Sequence, residues 1–332
     1  GWTTGACATA AATAAYQALL TGEFPDPVTI TLPRGEEPSF PLERTELKGG
    51  RATAGIIKDA GDDPDVTHGA EIVVTVALNK GKSGISFRAG NGVGTVTRPG
   101  LALGVGEPAI NPGPRKMIEG VIRGLDKKYG NGSGALAVTI GVPGGEKLAE
   151  KTLNGRLGIE GGLSILGTTG VVIPYSCSSW IHSIHRGVDV ARAGNFTHIA
   201  AATGSVSEAA VQRALSLEDP ALIDMGDFAG GLLKYLSKHP VEKLTLAGGP
   251  GKIGKLAQGA MDLHSSKSRL DLGLLADWLG ELGADEKARS AVRAANTAQE
   301  AVDQAAALGL PLGDAIARRA REVALATLSG GT

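Results

Sequence analysis

Four carboxylates, Asp59, Asp62, Asp63 and Asp65, fall within seven residues, and His68 follows close behind. Clustered carboxylates accept hydrogen bonds from hydroxyls or balance a positive charge, and a histidine titrating near neutrality suits a proton acceptor. A calcium loop fits poorly. Pro64 interrupts the alternation of ligands, and Ala70 stands where a loop of about twelve residues needs its Glu. The other reading of the segment is a solvated turn, which its Pro and Gly favour.

Arg115 and Lys116 open a helical stretch. Cations in a first turn oppose the helix dipole at a cost of a few tenths of a kcal/mol, so their choice suits an anionic ligand. The alternative is an exposed ladder of Arg115, Glu119 and Arg123 at i, i+4 spacing. Gly249-Pro250-Gly251-Lys252-Ile253-Gly254 matches GxGxxG after an apolar run, but no acid ends a second strand about 20 residues on, so dinucleotide binding is weakly supported. Read as a phosphate loop ending at Gly254-Lys255, the stretch has Leu256 in place of the Ser or Thr that holds magnesium. His182 and His185 lie one helical turn apart with no acidic or Cys partner at ligand spacing, and no metal site is assigned to the chain. Cys7, in an Ala-rich helix, reads as a packed thiol.

These groups need elements to hold them. Thr3-Thr4-Gly5 caps a small-residue helix over Ala6 to Leu20 that Gly22 stops. Val28 to Leu32 alternates as a half-buried strand, and further strands are expected at Ala52 to Lys58, Ala70 to Leu78, Gly92 to Val96 and Ala135 to Gly141. One helix interrupts them from about Pro114, with Met117, Ile118, Val121, Ile122 and Leu125 as its apolar stripe. This predicts an N-terminal α+β domain over residues 1–150. From Leu163 onward, apolar runs at Leu163 to Leu166, Thr197 to Ala202, Ala221 to Met225 and Lys243 to Ala247 alternate with Gly turns and helices. That pattern predicts an open parallel α/β sheet domain over residues 151–284. Residues 285–332 read as Ala-rich C-terminal helices, about Asp285 to Leu308 and Asp314 to Leu328, packing on the α/β layer.

The 332 residues carry 42% hydrophobic and 20% charged side chains and a net charge of −1, the balance of a globular protein of about two domains with no broad footprint for nucleic acid. Gly, at 50 residues, is about double average usage, which means many tight turns or close backbone approaches to a ligand. The two cysteines form no pair motif, no apolar run reaches the ~18 residues of a membrane span, and a cytoplasmic home without membrane association is the expectation.

Six ordered segments resemble signatures of the cobalt-precorrin-5B C1-methyltransferase family: Gly1-Trp2-Thr3-Thr4-Gly5-Ala6-Cys7-Ala8, the run from Lys58 to Gly69, Gly94-Thr95-Val96-Thr97-Arg98-Pro99-Gly100-Leu101, Gly106-Glu107-Pro108-Ala109-Ile110-Asn111-Pro112, Gly161 to Gly170, and Asp262-Leu263-His264-Ser265. Trp2, Ala6 and Gly113 depart from the family pattern. The resemblance implies methyl transfer from S-adenosylmethionine to C1 of cobalt-precorrin-5B, giving cobalt-precorrin-6A, with cobalt arriving inside the substrate. On that reading His68, Asp63 and His264 are the catalytic candidates. Thr3, Thr4, Arg98, Asn111, Arg115 and Lys116 would bind the acetate and propionate arms of the tetrapyrrole. Asp59, Asp62 and Asp65 would meet the donor's ribose hydroxyls or its positive sulfonium and amine.

The turn that binds the donor stays open among Gly167-Thr168-Thr169-Gly170, Thr203-Gly204-Ser205, the acidic Asp224-x-Gly226-x-Phe228-x-Gly230, and Gly249 with Gly251, all taken to stand at carboxyl ends of strands. An NAD-type oxidoreductase and a non-catalytic corrinoid carrier are the rival functions, and the chain is compatible with a homo-oligomer.

Overall fold

The structure is a computed structural model that describes residues 1–79, 84–129 and 135–328. It divides into two compact units, Gly1–Ser176 and Cys177–Thr332. The boundary lies later than the sequence reading placed it. Residues 151–176 belong to the first unit because backbone pairing ties them there. Val93 bridges Leu163, Ile110 bridges Ile165, and the Gly94 N–H donates to the Leu163 carbonyl at 2.9 Å. The run Leu163 to Leu166 is therefore no strand of the parallel sheet, and the Gly167 to Gly170 turn does not follow one of that sheet's strands.

In the first unit α1 (Thr4–Thr21) leads to a short hairpin of β1 (Val28–Thr29) and β2 (Ser39–Phe40). The predicted alternation over Val28 to Leu32 holds in burial, with Val28, Ile30 and Leu32 inside, though the ladder is brief. The main sheet contains β3 (Arg44–Lys48), β4 (Arg51–Ile57), β5 (Glu71–Leu78) and β6 (Gly84–Ala89). After β7 (Thr95–Val96) and α2 (Pro112–Tyr129) come β8 (Ala135–Gly141), α3 (Gly145–Ala149) and β9 (Ile159–Glu160). The sheet order is β3-β4-β5-β8-β6, antiparallel except that β6 and β8, joined through α2, run parallel. The strand expected at Gly92 to Val96 shrinks to β7, which pairs with β9.

Alternate residues of β4, β5 and β8, among them Ala54, Val74 and Ile140, are buried in one core with α1 and with Ile118 and Ile122 of α2. From Thr4 to Tyr16 every residue of α1 is buried. A helix covered all round must be narrow, and this one is built almost wholly of Ala, Thr and Gly.

The second unit begins with α4 (Cys177–Ala193) and continues β10 (His198–Ala202), α5 (Ser205–Leu215), β11 (Leu222–Asp224), α6 (Ala229–Leu236), β12 (Lys243–Ala247) and α7 (Pro250–Ala257). The three strands are parallel in the order β11-β10-β12, as the alternation of apolar runs and helices requires. Helices α8 (Leu272–Glu281), α9 (Glu286–Arg293), α10 (Ala298–Ala307) and α11 (Leu312–Thr327) complete it, and share one core with the sheet and α7. The helix expected over Asp285 to Leu308 is two. Thr297 Oγ1 accepts the Glu300 N–H at 3.1 Å and caps α10, while the Glu300 carboxylate accepts the Asn296 N–H at 2.7 Å just outside the helix, so α10 starts afresh.

Because α1 lies between a sheet and a helix with no free face, Ala11→Leu should destabilise the protein by about 1–3 kcal/mol through overpacking. Urea denaturation would show this as a lower midpoint with an unchanged slope.

Candidate functional site

The first unit gathers four of the family-like segments around the start of α1. Thr3 Oγ1 accepts the Ala6 N–H at 3.1 Å and caps the helix. Thr4 Oγ1 donates to the Leu166 carbonyl at 3.1 Å and accepts the Leu166 N–H at 3.0 Å, while the Thr3 N–H donates to the Gly170 carbonyl at 2.9 Å. Both threonines are buried, so they anchor the 166–170 segment and are not presented to a substrate. Gly167 is fixed by the same packing. Its φ is +125°, and a Cβ there would lie 2.3 Å from Thr3 Oγ1. Thr168 beside it is exposed, and Thr169 Oγ1 turns back on the Val171 backbone.

The start of α2 offers less to an anion than its charges suggest. The Asn111 N–H and Nδ2 both donate to the Ile165 carbonyl, at 2.9 and 3.3 Å, and the Arg115 N–H returns to the Asn111 carbonyl. Pro112 and Pro114 have no N–H, which leaves Gly113 as the helix-terminal donor. The Arg115 guanidinium donates to the carbonyls of Ile110 (2.7 Å) and Pro108 (3.3 Å), pairs with Glu107 at 3.3 Å, and stands 5.5 Å from the centre of the Phe87 ring. Arg115 thus braces the loop that leads into its own helix. Of the expected ladder the Glu119–Arg123 rung forms, at 3.3 Å, while Arg115 is turned to Glu107. Arg98 and Lys116 are exposed cations.

In the acidic loop the carboxylates divide. Lys58 is only 1% exposed, and its Nζ donates to Asp65 Oδ2 at 2.7 Å. Asp65 Oδ1 accepts from the Thr67 N–H and hydroxyl at 2.7 and 2.6 Å. Burial by itself would raise the Asp65 pKa, but the hydrogen bonds and charge of Lys58 and Thr67 outweigh it and hold the carboxyl below its usual range. Asp65, expected to meet the donor, is therefore committed to the interior. Asp59, Asp62 and Asp63 face outward. Asp59 Oδ1 accepts the Gly61 N–H at 2.8 Å, and Asp63 Oδ1 accepts the Tyr175 N–H at 3.1 Å.

His68 Nδ1 accepts the Ala60 N–H at 3.1 Å, which places the neutral ring's proton on Nε2. In this geometry the imidazole donates through Nε2 and has no free lone pair for a proton. Burial pushes the Cys7 thiol up to about 12, as a packed thiol requires.

The second unit gathers a separate cluster at the carboxyl edge of its sheet. β10, β11 and β12 end at Ala202, Asp224 and Ala247, followed by the turns at Thr203–Gly204, Met225–Asp227 and Gly248–Gly249. Winding reverses across β10, because β11 lies on one side of it and β12 on the other. Open α/β sheets bind ligands at such a switch point. Lys252 joins the turns, its Nζ 2.9 Å from Asp227 Oδ1 and 3.3 Å from the Thr203 carbonyl.

From the first turn of α4, Trp180 donates its indole N–H to the Asp224 carbonyl at 3.3 Å and packs on Gly226, whose φ is +52°. The Leu263 N–H donates to the Asp227 carbonyl at 2.8 Å, which brings His264 to the same unit's turns, exposed and bonded to Ser266. Gly249 precedes α7 and Gly251 lies in its first turn. Asp271, about where the ribose acid of a GxGxxG motif belongs, caps α8 instead. His185 is stacked on Tyr235 at 3.9 Å, away from ligand geometry with His182.

Sequence reasoning missed Lys58 and Trp180. Lys58 was legible only as the edge of an acidic run, and Trp180 as a residue between two histidines. The pairing of β10 with β11, which gives Asp224 and Trp180 their place, has no local signal.

The fold and its two polar clusters define a bipartite protein, one unit α+β and the other open parallel α/β. The CbiD family model matches residues 1–174, and that of the CbiD C-terminal domain matches residues 262–332. The cobalt-precorrin-5B C(1)-methyltransferase of Bradyrhizobium sp. (strain BTAi1) is 58% identical over 329 residues, covering 99% of this chain and 87% of that protein. The protein of the same name from Brucella anthropi is 57% identical over 330 residues, with 99% and 89% covered. A crystal structure of the cobalamin biosynthesis protein CbiD from Archaeoglobus fulgidus is 26% identical, with 93% of this chain and 84% of that one matched at a TM-score of 0.41. The chain belongs to the CbiD family.

Asp65→Asn should cost about 3 kcal/mol by leaving the Lys58 ammonium buried without its counter-charge, and Lys58→Met in the same chain should recover much of the loss. Since the folded carboxyl titrates below its unfolded value, its contribution is complete above about pH 4 and is lost as pH falls through the folded pKa. Denaturation at several pH values checks this, the wild type and Asp65→Asn converging in acid.

Proposed function

We propose that this protein transfers the methyl group of S-adenosylmethionine to C1 of cobalt-precorrin-5B, giving cobalt-precorrin-6A. The observation that carries the reading is the agreement of relatives at 57–58% identity, all named for that activity, over alignments that run through both units. The donor supplies an already activated sulfonium methyl. The ring carbon takes it, the carbon–sulfur bonding pair stays on sulfur, and one ring proton is released. What remains for the protein is to position the two partners, exclude water and receive that proton.

The outward carboxylates Asp59, Asp62 and Asp63 supply the acceptor, with Asp63 oriented by the Tyr175 N–H and the His68 Nε2–H beside the loop as a donor. Arg98 and Lys116 take the carboxylate arms of the tetrapyrrole as exposed cations. Leu166, Ile173 and Tyr175, exposed along the segment that α1 anchors, offer apolar surface to the face of a macrocycle. Among the described residues no helix is long and apolar enough to cross a membrane. We place the reaction in the cytoplasm, where both free cysteines stay reduced.

Anaerobic incubation with methyl-labelled S-adenosylmethionine and cobalt-precorrin-5B should add one labelled methyl to the corrinoid, read by mass spectrometry. Asp63→Asn preserves the acceptor for the Tyr175 N–H and should lower kcat about 100-fold or more, whereas Lys116→Ala should raise KM several-fold with kcat kept. Corrinoid bound with no label gained would sink the enzyme reading in favour of a carrier.

A further inference from the structure

We infer that Lys58 is a positioning residue for the transfer: from the end of β4 it grips Asp65, and through Asp65 it sets the aim of the Asp63 carboxylate. The inference rests on the methyl-transfer reading with Asp63 as proton acceptor, and adds to it the residue that places that acceptor.

Among the described residues Lys58 is the one charged side chain in the buried interior. An ammonium taken out of water is costly, and the ion pair that balances it often gives no more stability than apolar packing of the same volume. What a buried pair does supply is direction, because the ammonium is satisfied only where the carboxylate meets it. Stability alone does not account for Lys58, and geometry does.

That geometry runs outward from the sheet. Lys58 follows the last residue of β4, and its backbone pairs across the base of the loop, the N–H donating to the Ala70 carbonyl at 2.9 Å and the carbonyl accepting the Gly69 N–H at 2.8 Å. The ammonium is thereby referred to the sheet and not to the loop it holds. It bonds Asp65 Oδ2, Thr67 fixes Oδ1, and the Asp65 carbonyl accepts the His68 N–H at 3.0 Å, so Asp65 is held by side chain and backbone together.

Between Asp65 and Asp63 stands only Pro64. Its ring locks one dihedral and confines the residue before it to extended backbone, which makes the link short and stiff. On the other side Asp63 Oδ1 accepts the Tyr175 N–H, so the carboxylate is held between two anchors. A displacement of about 1 Å in a reacting group can cost on the order of 100-fold in rate, which is what such a mount guards against.

The test is the methyl-transfer assay on the wild type, Asp63→Asn, Lys58→Met/Asp65→Asn, and the last with Asp63→Asn added. Lys58→Met/Asp65→Asn, which keeps no charge in the interior, should lower kcat about tenfold or more while both KM values stay within about twofold. On that background Asp63→Asn should cost at most about tenfold instead of about 100-fold, because an acceptor already out of place has less left to lose. A pair that only stabilised the fold would leave the full factor intact. Thr67→Val removes the hydroxyl bond to Asp65 Oδ1 and keeps the ion pair, and decides the matter if the first variant does not fold: kcat should fall about threefold or more with KM kept. Wild-type kcat in either folded variant, or the full cost of Asp63→Asn on the Lys58→Met/Asp65→Asn background, would overturn the inference and leave the function standing. Wild-type kcat in Asp63→Asn would overturn it through the acceptor, again with methyl transfer intact. A wild type that transfers no methyl would overturn both.

Discussion

For a sheet and a second helix to close on α1 from every side, its residues must be small, and from Thr4 to Tyr16 all but the last are Ala, Gly, Thr or Cys. The rest of the first unit follows from that close approach. The start of α1 sits against the start of α2, where Gly5 leaves space for Pro114, and the chain at Leu166 runs close enough to bond Thr4 in both directions. Segments far apart in sequence are thereby held as one surface, with the Asp59 to His68 loop joined on through the Trp2 N–H and the Asp59 carbonyl. The core is the scaffold of the candidate site, and a larger side chain in α1 would move several of its loops together.

The two units treat polarity differently. In the first, many chemistry-bearing residues are consumed by structure: Thr3 and Thr4 by the helix start, Arg115 by the carbonyls of Ile110 and Pro108, Asp65 by Lys58. What remains outward is a set of carboxylates on one loop and cations on other segments. In the second, the turns at the sheet's carboxyl edge are spaced by glycine and braced by the Lys252–Asp227 pair. A polar residue's availability for chemistry depends on what its neighbours have already claimed from it.

Much of the architecture could be read from the sequence. The cap and stop of α1, the apolar stripe of α2 and the strand-and-helix alternation of the second unit are local patterns, and each formed as its period demanded. The boundary between units was misplaced because the run Leu163 to Leu166 is locally a strand, while its partners, near Val93 and Ile110, are distant. The break before α10 was legible in Thr297 and Glu300 but was overshadowed by the surrounding Ala. At the sites, the acidic loop stood out, but its division into one inward and three outward carboxylates turns on Lys58. No spacing rule says that a lysine will be buried.

The bonds between Thr4 and Leu166 bear on how the chain is made. A ribosome adds about 5–20 residues per second, so α1 emerges on the order of ten seconds before the segment that completes its packing. During that interval the helix has no finished cavity to occupy. An amphipathic helix rich in Leu or Ile would spend it as an adhesive surface, open to any other nascent chain. A helix of Ala, Thr and Gly offers little for a stranger to hold, so the composition that lets α1 be enclosed also lets it wait.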